Sequence, residues 1–379
     1  MRVVYVIDSL ASKGGAERIL SEKMNYLAAH FGYEVYVITC YQNVAHDKNA
    51  YPLSEDVTQI NLNIPYYSQY HTRYPMRLWV KHQIYRRLQR ELTDAVKRID
   101  PDVLVGLGYF NADLVTSIRC RARKVVESHE ARIFTMSDHG LSRSLLSRLF
   151  MRYYKRRYFH RVEQQADVVV TLTSGDAQEW QRARRVEVIP NFTMMEVPQP
   201  STCESKQVIA VGRLEWQKGF DRLVEVWQKV EAAHPDWQLS IYGSGTLKNA
   251  LLHQIQQLAL HQVAIHDFTP SIAEAYSKSS IFVLSSRFEG FGLVLIEAMK
   301  AGLPCVTFDC PFGPGDVVVD GECGFVVVDG DIQQMADKLC LLMDDAALRQ
   351  QFSQGALART KVFDVDVVMQ RWKTLFEGL

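Results

Sequence analysis

The stretch Ile281-Phe-Val-Leu-Ser-Ser-Arg-Phe-Glu-Gly-Phe-Gly-Leu-Val-Leu-Ile-Glu-Ala-Met-Lys-Ala-Gly302 passes from one apolar run through a glycine-bearing turn into another. The first run, 281–284, is a buried parallel strand, and the second, from Leu293, is a helix buried nearly all round. Gly290 and Gly292 lie in the turn between them, where backbone amides can face an anion at a helix N-terminus. Glu297 is the one acid in this helix. A buried carboxylate is costly without a partner, and a ligand with paired hydroxyls would supply one. Spacing alone carries no weight, because Glu179/Glu187 and Glu196/Glu204 have the same separation as Glu289/Glu297 without a strand, glycine turn or buried helix around them. A purely structural alternative pairs Glu289 with Arg287 on a solvated loop and places Glu297 in a core network.

The same strand-then-helix rhythm extends in both directions. Short β-branched runs recur at 3–7, 34–39, 102–106, 124–127, 167–171 and 186–189, then at 207–211, 238–242, 263–266, 281–284, 304–308 and 324–328, with amphipathic stretches between them. Such alternation predicts parallel α/β sheets. A chain of 379 residues suits two domains, and the polar, proline-bearing stretch around Pro198 and Pro200 divides 1–197 from 198–379. The predicted fold is α/β, two Rossmann-like domains with parallel sheets facing a central cleft. The last helix, about 364–376, is free to pack across to the N-terminal domain.

Hydrophobic residues make up 47% and charged residues 23% of the chain, as in soluble globular proteins. No apolar run approaches the roughly 18 residues of a membrane span, and Asp8 interrupts the first one, so neither an anchor nor a signal peptide is expected and the chain is placed in the cytoplasm. Seven scattered cysteines without zinc spacing predict free thiols, and the eleven histidines form no metal-binding pattern. No metal and no cofactor are expected. The net charge of zero hides an asymmetry: residues 1–200 hold 28 Lys+Arg against 21 Asp+Glu, and residues 201–379 hold 15 against 22. A basic first half suits an anionic surface.

Other candidates lie where open α/β sheets bind ligands, at the carboxyl ends of strands. Gly14 and Gly15 follow the first strand; they either admit a diphosphate to backbone amides or serve a turn. The motif there is neither Gly-x-Gly-x-x-Gly nor a P-loop. Arg213 and Lys218 follow strand 207–211 and suit a diphosphate, unless they are solvated loop cations. His129 follows strand 124–127 and could touch a reacting group or be a structural histidine. Gly243, in Gly243-Ser-Gly245, is a turn residue first and a phosphate contact second.

Two segments are basic and free of acids. Residues 143–161 carry Arg143, Arg148, Arg152, Lys155, Arg156, Arg157 and Arg161 among Leu, Phe and Tyr, and residues 73–90 carry six cations with Trp79 and Tyr85. Basic amphipathic helices of this kind lie on anionic membranes or form an ordinary solvated face. No nucleic-acid motif accompanies the charge.

Together, Gly14-Gly15-Ala-Glu-Arg18, Ser128-His129-Glu130, Ile189-Pro-Asn191, Gly212-Arg213-Leu with Lys218-Gly219, Gly243-Ser-Gly245 and the Glu289 to Glu297 segment resemble, in order and spacing, the retaining GT-B glycosyltransferases of the family-4 type. The resemblance implies a nucleotide-sugar donor and a second-domain donor site. In it Arg213 and Lys218 bind the donor diphosphate, Glu297 binds ribose hydroxyls, Glu289 lies beside the donor sugar, and His129 contacts that sugar near the reacting centre. Gly14, Gly15, Gly243 and the backbone at Phe291, Gly292 and Leu293 complete the donor contacts. It further implies retention of configuration, the acceptor proton passing to a phosphate oxygen, and no metal. The Gly-Gly-Ala-Glu-Arg motif and Cys310-Pro-Phe-Gly-Pro314 are similar to bacterial enzymes that extend lipid-linked surface glycans. The expected donor is therefore a UDP-hexose or UDP-N-acetylhexosamine and the expected acceptor a polyprenyl-diphosphate-linked glycan at the inner face of the cytoplasmic membrane. Gly315-Asp316 departs from the family's Ser-Glu, leaving that loop's donor contact open. Rival readings are a nicotinamide-dependent oxidoreductase, which lacks its first-strand fingerprint, a GT-B epimerase or phosphorylase, and a non-catalytic GT-B partner in a glycan assembly complex.

Overall fold

The computed structural model describes residues 1–379 except 44–45, 67–72, 74–75, 130–144 and 268, and describes the backbone alone at 78, 109–110 and 145–151. The chain forms two compact units. The first comprises Met1–Leu172, Asp176–Ile189 and Met369–Leu379, and the second Thr173–Gly175 and Pro190–Val368. The main passage between them falls at Ile189/Pro190, a few residues before the 197/198 division drawn in the polar stretch.

The first unit is built on β1 (Arg2–Ile7), β2 (Glu34–Thr39), β3 (Val57–Asn61), β4 (Val103–Leu107), β5 (Arg123–Ser128), β6 (Val168–Thr171) and β7 (Val186–Val188). They pair in the order β3-β2-β1-β4-β5-β6-β7, every pair parallel. The central strands are sealed on both faces, which is why they run as mostly Val, Ile and Leu, with Tyr5 and Gly106 among them, and do not alternate with polar residues. β3 was not anticipated from the sequence. It is an edge strand in which only Val57 is buried, so Thr58, Gln59 and Asn61 give it the look of a loop.

The second unit repeats the plan with β8 (Gln207–Val211), β9 (Gln238–Tyr242), β10 (Val263–His266), β11 (Ile281–Leu284), β12 (Cys305–Asp309) and β13 (Gly324–Val328), in the all-parallel order β10-β9-β8-β11-β12-β13. Its core gathers Trp227, Leu223 and Val230 of the helix Phe220–Ala233 against Leu239, Val283, Val306 and Phe308 of the sheet.

In both units the chain winds outward from a central strand in one direction, then returns and winds in the other. The reversal falls between β1 and β4, and between β8 and β11. Neighbouring crossovers there leave on opposite faces, so the loops at the strands' carboxyl ends part and open a crevice. The last helix, Val365–Glu377, runs within the first unit from Met369 onward, with Trp372, Leu375 and Phe376 buried and Glu377 accepting a 3.1 Å bond from the Tyr33 hydroxyl.

Among the described residues no helix is long and apolar enough to cross a membrane. The helix Met76–Ile99 exposes Trp79 (60%) and Met76 (58%) beside its cations. In the helix Leu145–Gln165 burial changes along the axis, for Tyr154, Tyr158 and Val162 recur every four residues on one face yet differ in exposure. Tyr153 and Tyr154 are exposed among Arg152, Arg156 and Arg157, whereas Tyr158, Phe159 and Val162 are buried.

Trp227→Ala removes a fully buried indole and should cost about 3–5 kcal/mol, whereas Trp79→Ala should stay within about 0.5 kcal/mol of the parent. Denaturant midpoints compare the two; similar losses would contradict this core.

Candidate functional site

The loop after β8 carries Arg213 and Lys218. Leu214 is fully buried and anchors it, its N–H donating to Ser244 O at 2.9 Å, which leaves Arg213 exposed beside it. Arg213 Nη2 donates to Gln217 Oε1 at 3.1 Å, and Gln217 Nε2 donates to Phe288 O at 3.1 Å, tying this loop to the one after β11. Lys218 ends a short 3-10 turn, Trp216–Lys218, closed by Gly219 at φ 64°. A Cβ at Gly219 would lie 2.1 Å from Ser285 O, so only glycine lets the two loops approach this closely.

That approach brings Lys218 Nζ to 2.6 Å from Glu289 Oε1, and the Ser286 hydroxyl donates to the same oxygen at 2.5 Å. Glu289 is 5% exposed, a carboxylate held under the turn by a cation and a hydroxyl. The alternative pairing of Glu289 with Arg287 is not what the structure shows. Arg287 instead forks onto Asp221, at 2.7 and 2.5 Å, donates to Trp216 O at 2.8 Å and lies 4.8 Å from the Trp216 ring. Burial works against the Asp221 charge, but Arg287 holds its carboxyl below the ordinary range. Arg287 is thus a brace for the loop and leaves Lys218 to Glu289.

Gly292 adopts φ 88° and starts the helix Leu293–Lys300, on which Glu297 is 7% exposed with the Tyr276 hydroxyl at 3.5 Å. The Phe291 ring is buried against Phe363, at 5.8 Å between centroids, so only its backbone is available to a ligand. Gly243 has a structural duty. A Cβ there would lie 1.9 Å from Gly212 O, and one at Gly245 2.5 Å from Leu214 O. Glu215 fastens the same turn by accepting from Thr246 N at 2.9 Å and Thr246 Oγ1 at 2.8 Å. Asp316, at the position where the sequence departs from its family's pattern, accepts from Ser174 N and Oγ at 3.2 and 2.5 Å. It fastens a neighbouring segment of its own unit.

In the first unit, Gly14 is the N-cap of the helix Gly15–Phe31, but a Cβ on it would lie 2.2 Å from Glu17 Oε2. The side chain of Glu17 therefore folds back against Gly14. Asp8 lies nearby, accepting from Asn111 Nδ2 at 3.2 Å. Desolvation raises the Asp8 carboxyl, the Asn111 bond opposes that rise, and the Glu17 charge adds to it. His129 lies just past β5 with its Nε2 3.0 Å from Glu127 Oε2, and Glu127 meets Lys23. Sequence reasoning passed over Glu127 and Lys23: one ends a strand, the other sits within a helix that shows other cations and acids. The only hint was an acid after Val125-Val126 at the carboxyl end of β5, two residues before His129.

The structure therefore brings Arg213, Lys218, Glu289, Gly292 and Glu297 together around the β8/β11 reversal, and places Gly14, Gly15 and His129 at the equivalent edge of the first unit. Of the basic set, Arg143 lies outside the described residues and the Arg148 side chain is undescribed; Arg152, Arg156 and Arg157 are exposed, and Lys155 is half-buried.

Residues 13–195 match the sequence model of glycosyltransferase family 4, and residues 196–359 that of glycosyl transferases group 1. A Haemophilus influenzae protein described as an uncharacterized glycosyltransferase is 27% identical over 98% of this chain and 99% of its own length. The amylovoran biosynthesis glycosyltransferase AmsD of Erwinia amylovora is 33% identical over 45% of this chain and 48% of its own. The chain thus spans about half of that relative. Among solved structures, Anabaena HepE in complex with UDP superposes with a TM-score of 0.76 at 16% identity, over 100% of each chain. At that identity the likeness concerns the fold.

Gly243→Ala should destabilise the second unit by about 1–3 kcal/mol through backbone overlap, while Gly14→Ala should be tolerated because only the movable end of Glu17 is in the way. Melting curves of the two variants check this, and a fully stable Gly243→Ala protein would contradict the packing duty assigned to that glycine.

Proposed function

Because the chain belongs to the family-4 glycosyltransferases of GT-B architecture, we propose that it moves a hexose or N-acetylhexosamine from a UDP-sugar to a hydroxyl of a glycan acceptor. Transfer proceeds with retention and without a metal, and the acceptor is carried on polyprenyl diphosphate during surface polysaccharide assembly. The observation that carries the donor assignment is the Lys218–Glu289 pair, 2.6 Å apart, one helical run from the buried Glu297 at the β8/β11 reversal. Support for the nucleotide comes from the UDP in the HepE complex, and for the pathway class from AmsD.

In this reading the diphosphate meets Arg213 and Lys218. The first offers a planar fork and the second a point charge, and both favour the negative charge that develops on the departing UDP. Lys218 exchanges its bond to Glu289 for one to phosphate, which frees the Glu289 carboxylate for hydroxyls of the donor sugar. Glu297 accepts from the ribose hydroxyls. The two fixed cations take the charge-neutralising part that a divalent ion plays elsewhere. Gly14 and Gly15 contribute backbone amides, and His129 contacts the donor sugar. The acceptor proton leaves on a phosphate oxygen. The protein acts as a peripheral enzyme at the inner face of the cytoplasmic membrane, its cations and exposed Trp79, Tyr153 and Tyr154 meeting anionic headgroups, at about 1 kcal/mol per cation.

Thermal shifts with UDP, GDP, ADP, CDP and NAD should show stabilisation by UDP that Glu297→Ala weakens by about 1.5–3 kcal/mol of binding; stabilisation by NAD, or by none of these, would refute the donor assignment. Sugar transfer should be unchanged by excess chelator, and its loss would refute metal independence. Charge reversal at Arg152, Lys155 and Arg156 should weaken sedimentation with anionic liposomes at low salt; unchanged binding would refute the membrane face.

A further inference from the structure

Lys23 and Glu127 form an ion pair in the heart of the first unit, their side chains 2% and 3% exposed. Lys23 Nζ lies 2.6 Å from Glu127 Oε1 and 2.5 Å from Oε2, and the ammonium rests 4.0 Å from the Trp372 ring centroid and 5.3 Å from that of Tyr5. Two charges taken out of water cost several kcal/mol each, and an apolar pair of similar volume would serve the core as well or better. Stability is therefore a poor explanation for keeping them. Glu127 has a third contact, for its Oε2 is also 3.0 Å from Nε2 of His129, whose side chain is 8% exposed. An ionised carboxylate only accepts hydrogen bonds, so the ring nitrogen facing it carries the proton. Nδ1 is then the nitrogen left to meet a ligand.

We infer that Lys23 and Glu127 are positioning residues that hold His129 as the Nε2–H tautomer, so that Nδ1 accepts a hydrogen bond from a hydroxyl of the donor sugar. The inference rests on the reading of His129 as a donor-sugar contact and adds to it the chemical sense of the contact. An acceptor nitrogen selects a sugar that offers an O–H at the contacted position and disfavours one that carries hydrogen or fluorine there. Lys23 keeps the carboxylate ionised. Burial alone would push Glu127 upward, but the Lys23 charge and the His129 bond hold it below the usual carboxylate range. The Trp372 face completes the cation's surroundings, so the last helix takes part in setting the tautomer of a residue on β5's outgoing loop. No proton moves through the relay; it sets which nitrogen is bare.

The full chain labelled with 15N-histidine tests this by long-range 1H–15N spectra, with His129 assigned by His129→Asn. The expected native spectrum shows His129 in the Nε2–H pattern, and Glu127→Gln should blur it into a tautomer mixture while the melting curve stays cooperative. Should Glu127→Gln alone fail to fold, the variant combining it with Lys23→Met removes both buried charges and takes its place. An Nδ1–H pattern in the native chain, or an unchanged His129 signal in a folded variant, overturns the inference. Turnover of UDP-glucose and UDP-N-acetylglucosamine, read as UDP release, should fall roughly tenfold to hundredfold in kcat for Glu127→Gln with donor KM little altered. Adding His129→Ala should then lose nothing further, because the two act as one unit, and multiplied losses would also overturn it. UDP-induced stabilisation of the native chain separates the two claims. Its absence counts against the donor reading, while the nitrogen spectrum reports the tautomer whatever the donor.

Discussion

The reversal of strand order beside β1 and beside β8 is the constraint on which the rest of the structure depends. Parallel strands need right-handed crossovers, so a sheet that grows both ways from its centre must send neighbouring crossovers to opposite faces at one point. Loops at that point cannot cover each other. Main-chain ends and the polar residues on them are left open there, and the chain has put Arg213, Lys218 and Glu289 on the two loops flanking the reversal in the second unit. In the first unit the matching strand ends carry Asp8, Gly14 and Asn111, with His129 one strand further out.

Three cations at or beside the two candidate sites are compensated at close range before any ligand arrives. Lys218 is held by Glu289, Arg287 by Asp221 and Lys23 by Glu127. The three pairs differ in burial and partners, and that difference separates their duties. Arg287 is forked, stacked on Trp216 and bonded to the backbone, so it is committed to the loop. Lys218 has one short contact to a carboxylate with its own second donor in Ser286, so it can be exchanged without stranding its partner. Lys23 is sealed by rings and acts only through Glu127. Glycine supports the arrangement where backbone meets backbone, above all at Gly219 and Gly243, where any side chain would meet a carbonyl oxygen.

Much of this was legible in the sequence. Central strands announce themselves because burial on both faces demands a mostly apolar run without alternation, and the second sheet's strands were located almost to the residue. β3 was not, because an edge strand with one buried residue carries no such demand. The second unit's site was legible because its residues cluster on two strand-to-helix turns. Pairing was not. Lys218 and Glu289 stand 71 residues apart and Lys23 and Glu127 104 apart, and nothing local says which acid takes which base. The same blindness offered Arg287 to its sequence neighbour Glu289, when the helix after Gly219 supplies Asp221. The fold of Glu17 back against Gly14 left no trace in the sequence, because it is a matter of side-chain conformation. The basic stretch 143–161 suggested a two-faced helix, but burial along the helix is set by what packs on it, and Tyr153 and Tyr154 stay outside while Tyr158 goes in.

A crystal structure of the chain with UDP tests the central claim most directly. The account predicts the diphosphate within hydrogen-bonding reach of Arg213 and Lys218, Lys218 drawn away from Glu289, and the ribose hydroxyls on Glu297. UDP bound elsewhere, or bound with the Lys218–Glu289 pair intact and Glu297 untouched, would contradict it.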